Sequence, residues 1–248
     1  MRRAAIRNEF AKMRQLRVGL LAGVLTGAVT VLALGTGVSS PDFVPETQDS
    51  WTSLLGSVGS AVALIAPLLL AVLASRQVDI EHQGSGWLLS AGAGVTPGGL
   101  CRAKLLALGL IVAASTVTIS ALVLVSGLLV GVAVPVPAGR WVGFTLALVV
   151  INLAVLSLQV LLSARIENQL VSIGVGLLGT ILALFGSSVP SWLTHLTPWG
   201  YYSLTSAAEY RDAELVATTP AYGSIAALAV VATVVVGVVT GRLDRQEA

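Results

Sequence analysis

Apolar residues in this chain gather in six long runs with no polar period. The runs cover residues 18–38, 53–74, 105–134, 141–164, 170–189 and 221–241, and none holds Asp, Glu, Lys or Arg. A helix rises about 1.5 Å per residue, so about 20 residues cross a hydrocarbon core of about 30 Å. Each run is long enough to span, and the third exceeds the need, which predicts tilt or protrusion. Helices on a water-soluble protein carry a polar stripe; these runs are apolar all round and belong in lipid or a buried bundle. Pro67 inside the second run predicts a kink.

Composition agrees. With 55% hydrophobic and 10% charged residues, a water-soluble domain would lack the charge to cover its surface. Twelve of the fourteen Lys and Arg residues lie before the first run (Arg2, Arg3, Arg7, Lys12, Arg14, Arg17), in the second and fourth connections (Arg76, Arg102, Lys104, Arg165) or after the last run (Arg242, Arg245). Only Arg140 and Arg211 lie in the alternate connections. The positive-inside rule then predicts both termini in the cytoplasm. Acidic residues divide evenly, six and six, as expected of groups that contribute little to orientation. The net charge of +2 implies no nucleic-acid partner; the basic excess marks topology and attracts anionic lipid heads. The first run is about twice the length of a signal-peptide core and no cleavage site stands out before residues 39–41, so it reads as an uncleaved anchor. Cys101, the single cysteine, has no partner for a disulfide within the chain, and beside Arg102 it is expected at the cytoplasmic surface.

The chain reads as one membrane domain, residues 1–248, with no soluble domain. In segment 1–17, Ile6, Phe10, Met13 and Leu16 form one helical face among basic residues, predicting an amphipathic helix in the headgroup region. A basic tail that only sets topology is the plainer alternative. Segment 76–104 is too polar to cross a bilayer, yet carries Trp87, Leu88 and Leu89 between glycines. A short helix over about 85–92 would present these residues to a partner or to the membrane surface; the alternative is a re-entrant or packing loop. Segment 190–220 bears Trp192, Trp199, Tyr201, Tyr202 and Tyr210, with Tyr222 just beyond, predicting an aromatic belt and short helices dipping into the outer leaflet. His195 in that segment reads as a surface hydrogen-bonder rather than a metal ligand.

Within the runs, Thr145, Asn152 and Gln159 recur at seven-residue spacing on one face of the fourth. Amides avoid lipid, so this face should look into the bundle. It fits equally a polar strip along a substrate path and interhelical hydrogen bonds. Gly19, Gly23 and Gly27 recur at four-residue spacing, which lets helix backbones approach, either inside the chain or across a dimer. With no ionisable group in the runs, proton relays and buried ion pairs have no support. No phosphate-binding loop, HExxH, GxSxG or Cys/His cluster occurs, so neither catalysis nor a resident cofactor or metal is expected.

Glu81, Gly84, Ser85, Leu88, Leu89, Arg102 and Lys104 follow an arrangement of Glu-x-x-Gly-[Ser/Thr], a Leu-Leu pair and a basic opening to the third span. Together with the basic amphipathic helix and six spans, they make the chain resemble the ABC-2 type permeases, the membrane subunits of ATP-driven exporters. Trp87 and the Pro198–Trp199 pair resemble the bacitracin-resistance and lantibiotic-immunity members. Residues 92–99 depart from the family's common form by their glycine content. The resemblance implies an all-α (type V) exporter fold in a bacterial cell membrane, with an elbow helix over 1–17. It also implies a separate ATPase chain holding ATP and Mg, docked through Asp79, Glu81, Gly84, Ser85, Trp87, Leu88 and Leu89. A second permease, identical or related, would meet this one across the first and fifth spans, with Gly19, Gly23 and Gly27 as seam. The cargo would be amphipathic: an antimicrobial peptide, a drug or a lipid. A self-contained transporter or channel, and a membrane anchor or sensor that moves nothing, are the rival readings.

Overall fold

The computed structural model describes residues 3–211 and 214–245; Met1 and Arg2 of the elbow segment lie outside the described residues. The elements run α1 (Arg3–Gln15), α2 (Val18–Val38), α3 (Asp49–Gln83), α4 (Gly86–Gly92), α5 (Pro97–Leu129), α6 (Ala138–Arg165), α7 (Gln169–Phe185), α8 (Ser191–Thr194), α9 (Tyr201–Leu204), β1 (Ala208–Arg211), β2 (Glu214–Ala217) and α10 (Tyr222–Arg245). A 3-10 turn, Gly186–Ser188, extends α7. Six helices are long and apolar enough to cross a membrane: α2, α3, α5, α6, α7 with its turn, and α10. The architecture is an all-α polytopic membrane bundle. One departure from the sequence reading is the small antiparallel hairpin β1–β2, paired from Ala208↔Ala217 to Arg211↔Glu214.

α3 is the centre of the bundle. It packs against α2, α5, α6 and α7, and residues on every side of it, from Trp51 to Val78, are buried. It passes through Pro67 without a break. It also outlasts its apolar run by nine residues, so Arg76, Asp79, Glu81 and His82 stand on a helix rather than in a loop. No Gly or Pro interrupts residues 75–83, and the helix stops only at Gly84, whose N–H caps the Ile80 carbonyl. After α4 the chain restarts as α5 with Pro97 in the first turn and the Thr96 side chain accepting from the Gly99 N–H. α1, α4, the C-terminal ends of α3, α6 and α10 and the start of α5 share one end of the bundle, the terminal end. The hairpin, α8 and α9 cap the far end.

Small residues set the helix separations. A Cβ on Gly176 of α7 would collide with the Ala71 side chain and meet the Pro67 carbonyl at 3.1 Å. On α2, Gly37 lies against Ser57 and Leu54, and the Ser53 hydroxyl donates to its carbonyl at 3.0 Å. Gly19, Gly23 and Gly27 behave differently: nothing lies within 4 Å of a Cβ built on any of them. Their row faces away from the rest of the chain, beside exposed Leu20, Val24 and Val31. Overpacking costs about 1–3 kcal/mol, so Gly176→Val should lower the thermal midpoint of the detergent-solubilised chain. Gly23→Leu should leave the monomer's midpoint unchanged.

Candidate functional site

The chain has only two lysines among its fourteen basic residues, and both meet at the terminal end. Lys104, about two turns into α5, is fully buried. Its ammonium donates to Glu9 Oε2 at 2.8 Å, to the Gln77 carbonyl at 2.8 Å and to Glu81 Oε1 at 2.7 Å. An ammonium has three donors, and all three are used. Lys12 of α1 reaches the same two carboxylates, Glu9 Oε1 at 2.9 Å and Glu81 Oε1 at 2.6 Å. The Gln77 amide adds a bond to Glu9 Oε2 at 2.9 Å. Two cations and two anions thus tie α1, α3 and α5 into one neutral cluster. Buried ion pairs, which the apolar runs gave no reason to expect, are present just beyond the ends of those runs.

Burial alone would push the Glu9 carboxyl up, but Lys104, with bonds from Lys12 and Gln77, holds it below the ordinary value of 4.5. Burial would likewise lower Lys12, yet Glu81 and Glu9 hold it above 10.5. The cluster also sets which side of α1 meets the bundle. Of the apolar face Ile6, Phe10, Met13 and Leu16, Met13 is buried beside Glu9, and Phe10 is left exposed. Pairing a buried carboxylate outweighs hiding one phenyl ring, which lipid accepts. Glu9 escaped the sequence reading, although it is the single acid among the first 17 residues.

α4 sits on this base. Arg17 (φ 54°), between α1 and α2, and Ser85 (φ 52°), between α3 and α4, are non-glycine residues in the left-handed region. Each costs about 1–2 kcal/mol, supplied by surrounding packing. The expected docking residues divide three ways. Leu88 and Leu89 are 76% and 72% exposed, and Gly84 and Ser85 are exposed with them. Trp87 is half-buried against His82, ring centroids 5.7 Å apart. Asp79 is half-buried and accepts from the Gln83 amide at 2.6 Å, and Glu81 is buried in the ion cluster, so its carboxylate is spent inside the chain and offers a partner no surface. A recess of about 370 Å³ between α1 and α4 is lined by Asn8, Lys12, Leu89 and Ser90 among others.

The α6 polar face is taken up in bonds to neighbouring helices. Thr145 bonds Ser120, which accepts from the Trp141 indole at 2.8 Å. Asn152 donates to Thr116 at 2.9 Å and accepts from the Tyr202 hydroxyl at 2.6 Å. Gln159 accepts from Ser172 at 3.1 Å. All three are buried: Thr145 and Asn152 join α6 to α5, Asn152 also reaches α9, and Gln159 joins α6 to α7. Two further expectations change. Cys101 is buried, not at the surface. The aromatic belt is split: Trp192 and Tyr222 are exposed, whereas Trp199, Tyr201 and Tyr202 turn inward, because α8 and α9 fold back into the bundle. His195 stays exposed, its ring within bonding distance of the Ser191 carbonyl and of Ser224 Oγ.

Six helices long and apolar enough to span, with a short apolar helix outside them, define a polytopic membrane protein. A family model described as "ABC-2 family transporter protein" matches residues 5–183, from α1 through most of α7. No curated protein matches the chain. The chain belongs to the ABC-2 family of transporter proteins.

Lys104→Met would leave two buried carboxylates to share Lys12, with one negative charge uncompensated, a cost of about 3–5 kcal/mol; Lys104→Arg should also destabilise, because a planar fork cannot place three donors as an ammonium does. Glu9's lowered value gives a contribution present above pH 4.5 and lost as pH falls through that lower value. Lys12's raised value gives one present below pH 10.5 and lost as pH rises past it. Thermal midpoints against pH should therefore fall at both extremes, and Glu9→Gln should flatten the acid limb.

Proposed function

We propose that the chain is the membrane-spanning half of an ATP-driven exporter whose ATPase is a separate subunit seated on α4. The observation that carries this is Leu88 and Leu89: two exposed leucines outside the spans, on a helix that sits over a base tied together by a buried ion cluster. Exposed leucines on a rigid mount form a contact surface that transmits displacement, and the chain holds no phosphate-binding loop of its own. The terminal end is then the cytoplasmic side of a bacterial cell membrane, with ATP and Mg held in the partner.

A second permease, identical or related, would lie against the outward glycine row of α2. α2 and α7 flank α3 on the same face, and between them a cleft of about 510 Å³ opens at the far end. Ser53, Ser57 and Ser60 of α3, Thr36, Ser187 and Ser203 give it hydroxyls, while Ala63 and Leu184 give it apolar walls. Such mixed walls suit an amphipathic cargo, a peptide, a drug or a lipid, moving outward. In this reading the cleft, rather than the α6 strip, is the substrate path.

The test is co-purification of the full chain from mild detergent, with identification of every subunit. Leu88→Asp with Leu89→Asp should abolish recovery of an ATPase while leaving the thermal midpoint unchanged, since neither side chain is packed. Failure of the native chain to retain any ATPase, together with transport that needs no ATP, would sink the reading. Replacing Gly19, Gly23 and Gly27 with Leu should separate two permeases into one; an intact pair places the seam elsewhere.

A further inference from the structure

His82 sits where α3 and α6 end and α4 begins. Its Nε2 lies 3.0 Å from the Ser163 carbonyl, and its Nδ1 lies 3.3 Å from the Trp87 indole nitrogen. The chemistry of the partners fixes the tautomer. A carbonyl only accepts, so Nε2 carries the proton; an indole N–H only donates, so Nδ1 is bare. Ser163 lies in the last turn of α6, where carbonyls have no partner within the helix, so His82 caps α6 while holding Trp87 of α4. Ser163 continues the connection through its hydroxyl, 2.8 Å from Ser172 of α7, and Ser172 donates to Gln159 at 3.1 Å. Since Ser172 spends its one proton on Gln159, Ser163 is the donor to Ser172.

We propose that His82 is the positioning residue that joins α4 to α6 and α7, and that its protonation releases α4. A proton on Nδ1 would face the Trp87 N–H donor to donor, so the bond exists only with the neutral ring. The Ser163 bond survives in both states. The hold of Trp87 on the bundle is therefore made while the ring is neutral and lost when it is protonated, which makes contact with the ATPase sensitive to acidification. This consequence rests on the docking role of α4; the bond itself does not. Among the charged groups around the ring, Asp79 of α3 and Glu167 of the α6–α7 connection line its recess with Gln169. Arg165 stands two residues beyond Ser163. α4 brings no titratable side chain.

The chain has five tryptophans and two histidines, so spectroscopy on the full chain alone resolves the question. 5-Fluorotryptophan is incorporated, the Trp87 resonance is assigned by its loss in Trp87→Phe, and pH is lowered from about 8 to about 5, the range where imidazole changes charge. One step is expected in the Trp87 resonance. It should vanish in His82→Gln, which keeps a donor and an acceptor but cannot titrate, and whose Trp87 resonance should stay at the alkaline position. Nitrogen-15 spectra of the histidines, with His195→Asn for assignment, should show the ring proton on Nε2 at about pH 8. A proton on Nδ1 there overturns the proposal, as does a Trp87 resonance without a step. A step that survives His82→Gln but disappears in Asp79→Asn or Glu167→Gln also overturns it, assigning the titration to a carboxylate. No ATPase is present in these measurements. Their failure leaves docking through Leu88 and Leu89 standing, and a failed capture of ATPase leaves the His82 bond standing.

Discussion

Hydrocarbon offers a polar side chain no partner, so most polar groups carried into or beside the spans are matched inside the chain, with Gln159 Nε2 and Trp199 Nε1 among the buried exceptions. The bundle is organised around that demand. At mid-depth, Asn152 takes a bond from Tyr202 and gives one to Thr116. At the far end, the Trp51 indole donates to the Val134 carbonyl at 3.1 Å, and Arg140 bonds Thr52 and the Ala207 carbonyl. At the terminal end, Lys104 has three acceptors for three protons. Bonds between membrane helices are individually worth about 1 kcal/mol or less. The ion cluster differs in kind, because losing one member leaves charge buried without compensation.

That difference gives the terminal end its character. α1 carries no span, yet it is held to α3 and α5 by buried charge, so it moves with them. α4 is the reverse: among its residues none is buried, and its hold on the bundle comes from Trp87 on His82 and from the turns at either side. A loosely packed helix on a tightly packed base can be displaced without unfolding what lies beneath, as local stability arguments require of moving parts. In the proposed exporter this is where an ATPase would push. α10 is tied to the same region by Arg102, which bonds Thr240 and Asp244, each at 2.9 Å.

The far end follows the opposite scheme. Its short helices fold inward, placing Trp199 and Tyr202 between spans where the sequence pattern suggested a membrane-surface belt. Aromatic rings serve either setting, since each has a large apolar body and one polar group. Only the packing of α8 and α9 against α7 decides which ring goes where. The same folding leaves the hydroxyl-lined cleft open between α2 and α7.

Six spans, an N-terminal helix and a short helix near Trp87 were readable from the chain because each depends on local composition: run length, glycine punctuation and where charge is absent. The α4 segment was placed within a residue of its observed start for that reason. The inward face of α1, the burial of Glu81 and the fate of the Thr145–Asn152–Gln159 strip were not readable. Each depends on partners far along the chain: Glu9 and Lys104 are 95 residues apart, and Asn152 and Tyr202 are 50 apart. Periodicity reports which residues share a face, but says nothing of which group will oppose that face. The sequence by itself determined that the chain crosses a membrane and where it stays outside it. The tertiary structure alone decided that its two lysines close a buried ion cluster, because the pairing of buried charges depends on distances that only the folded chain sets.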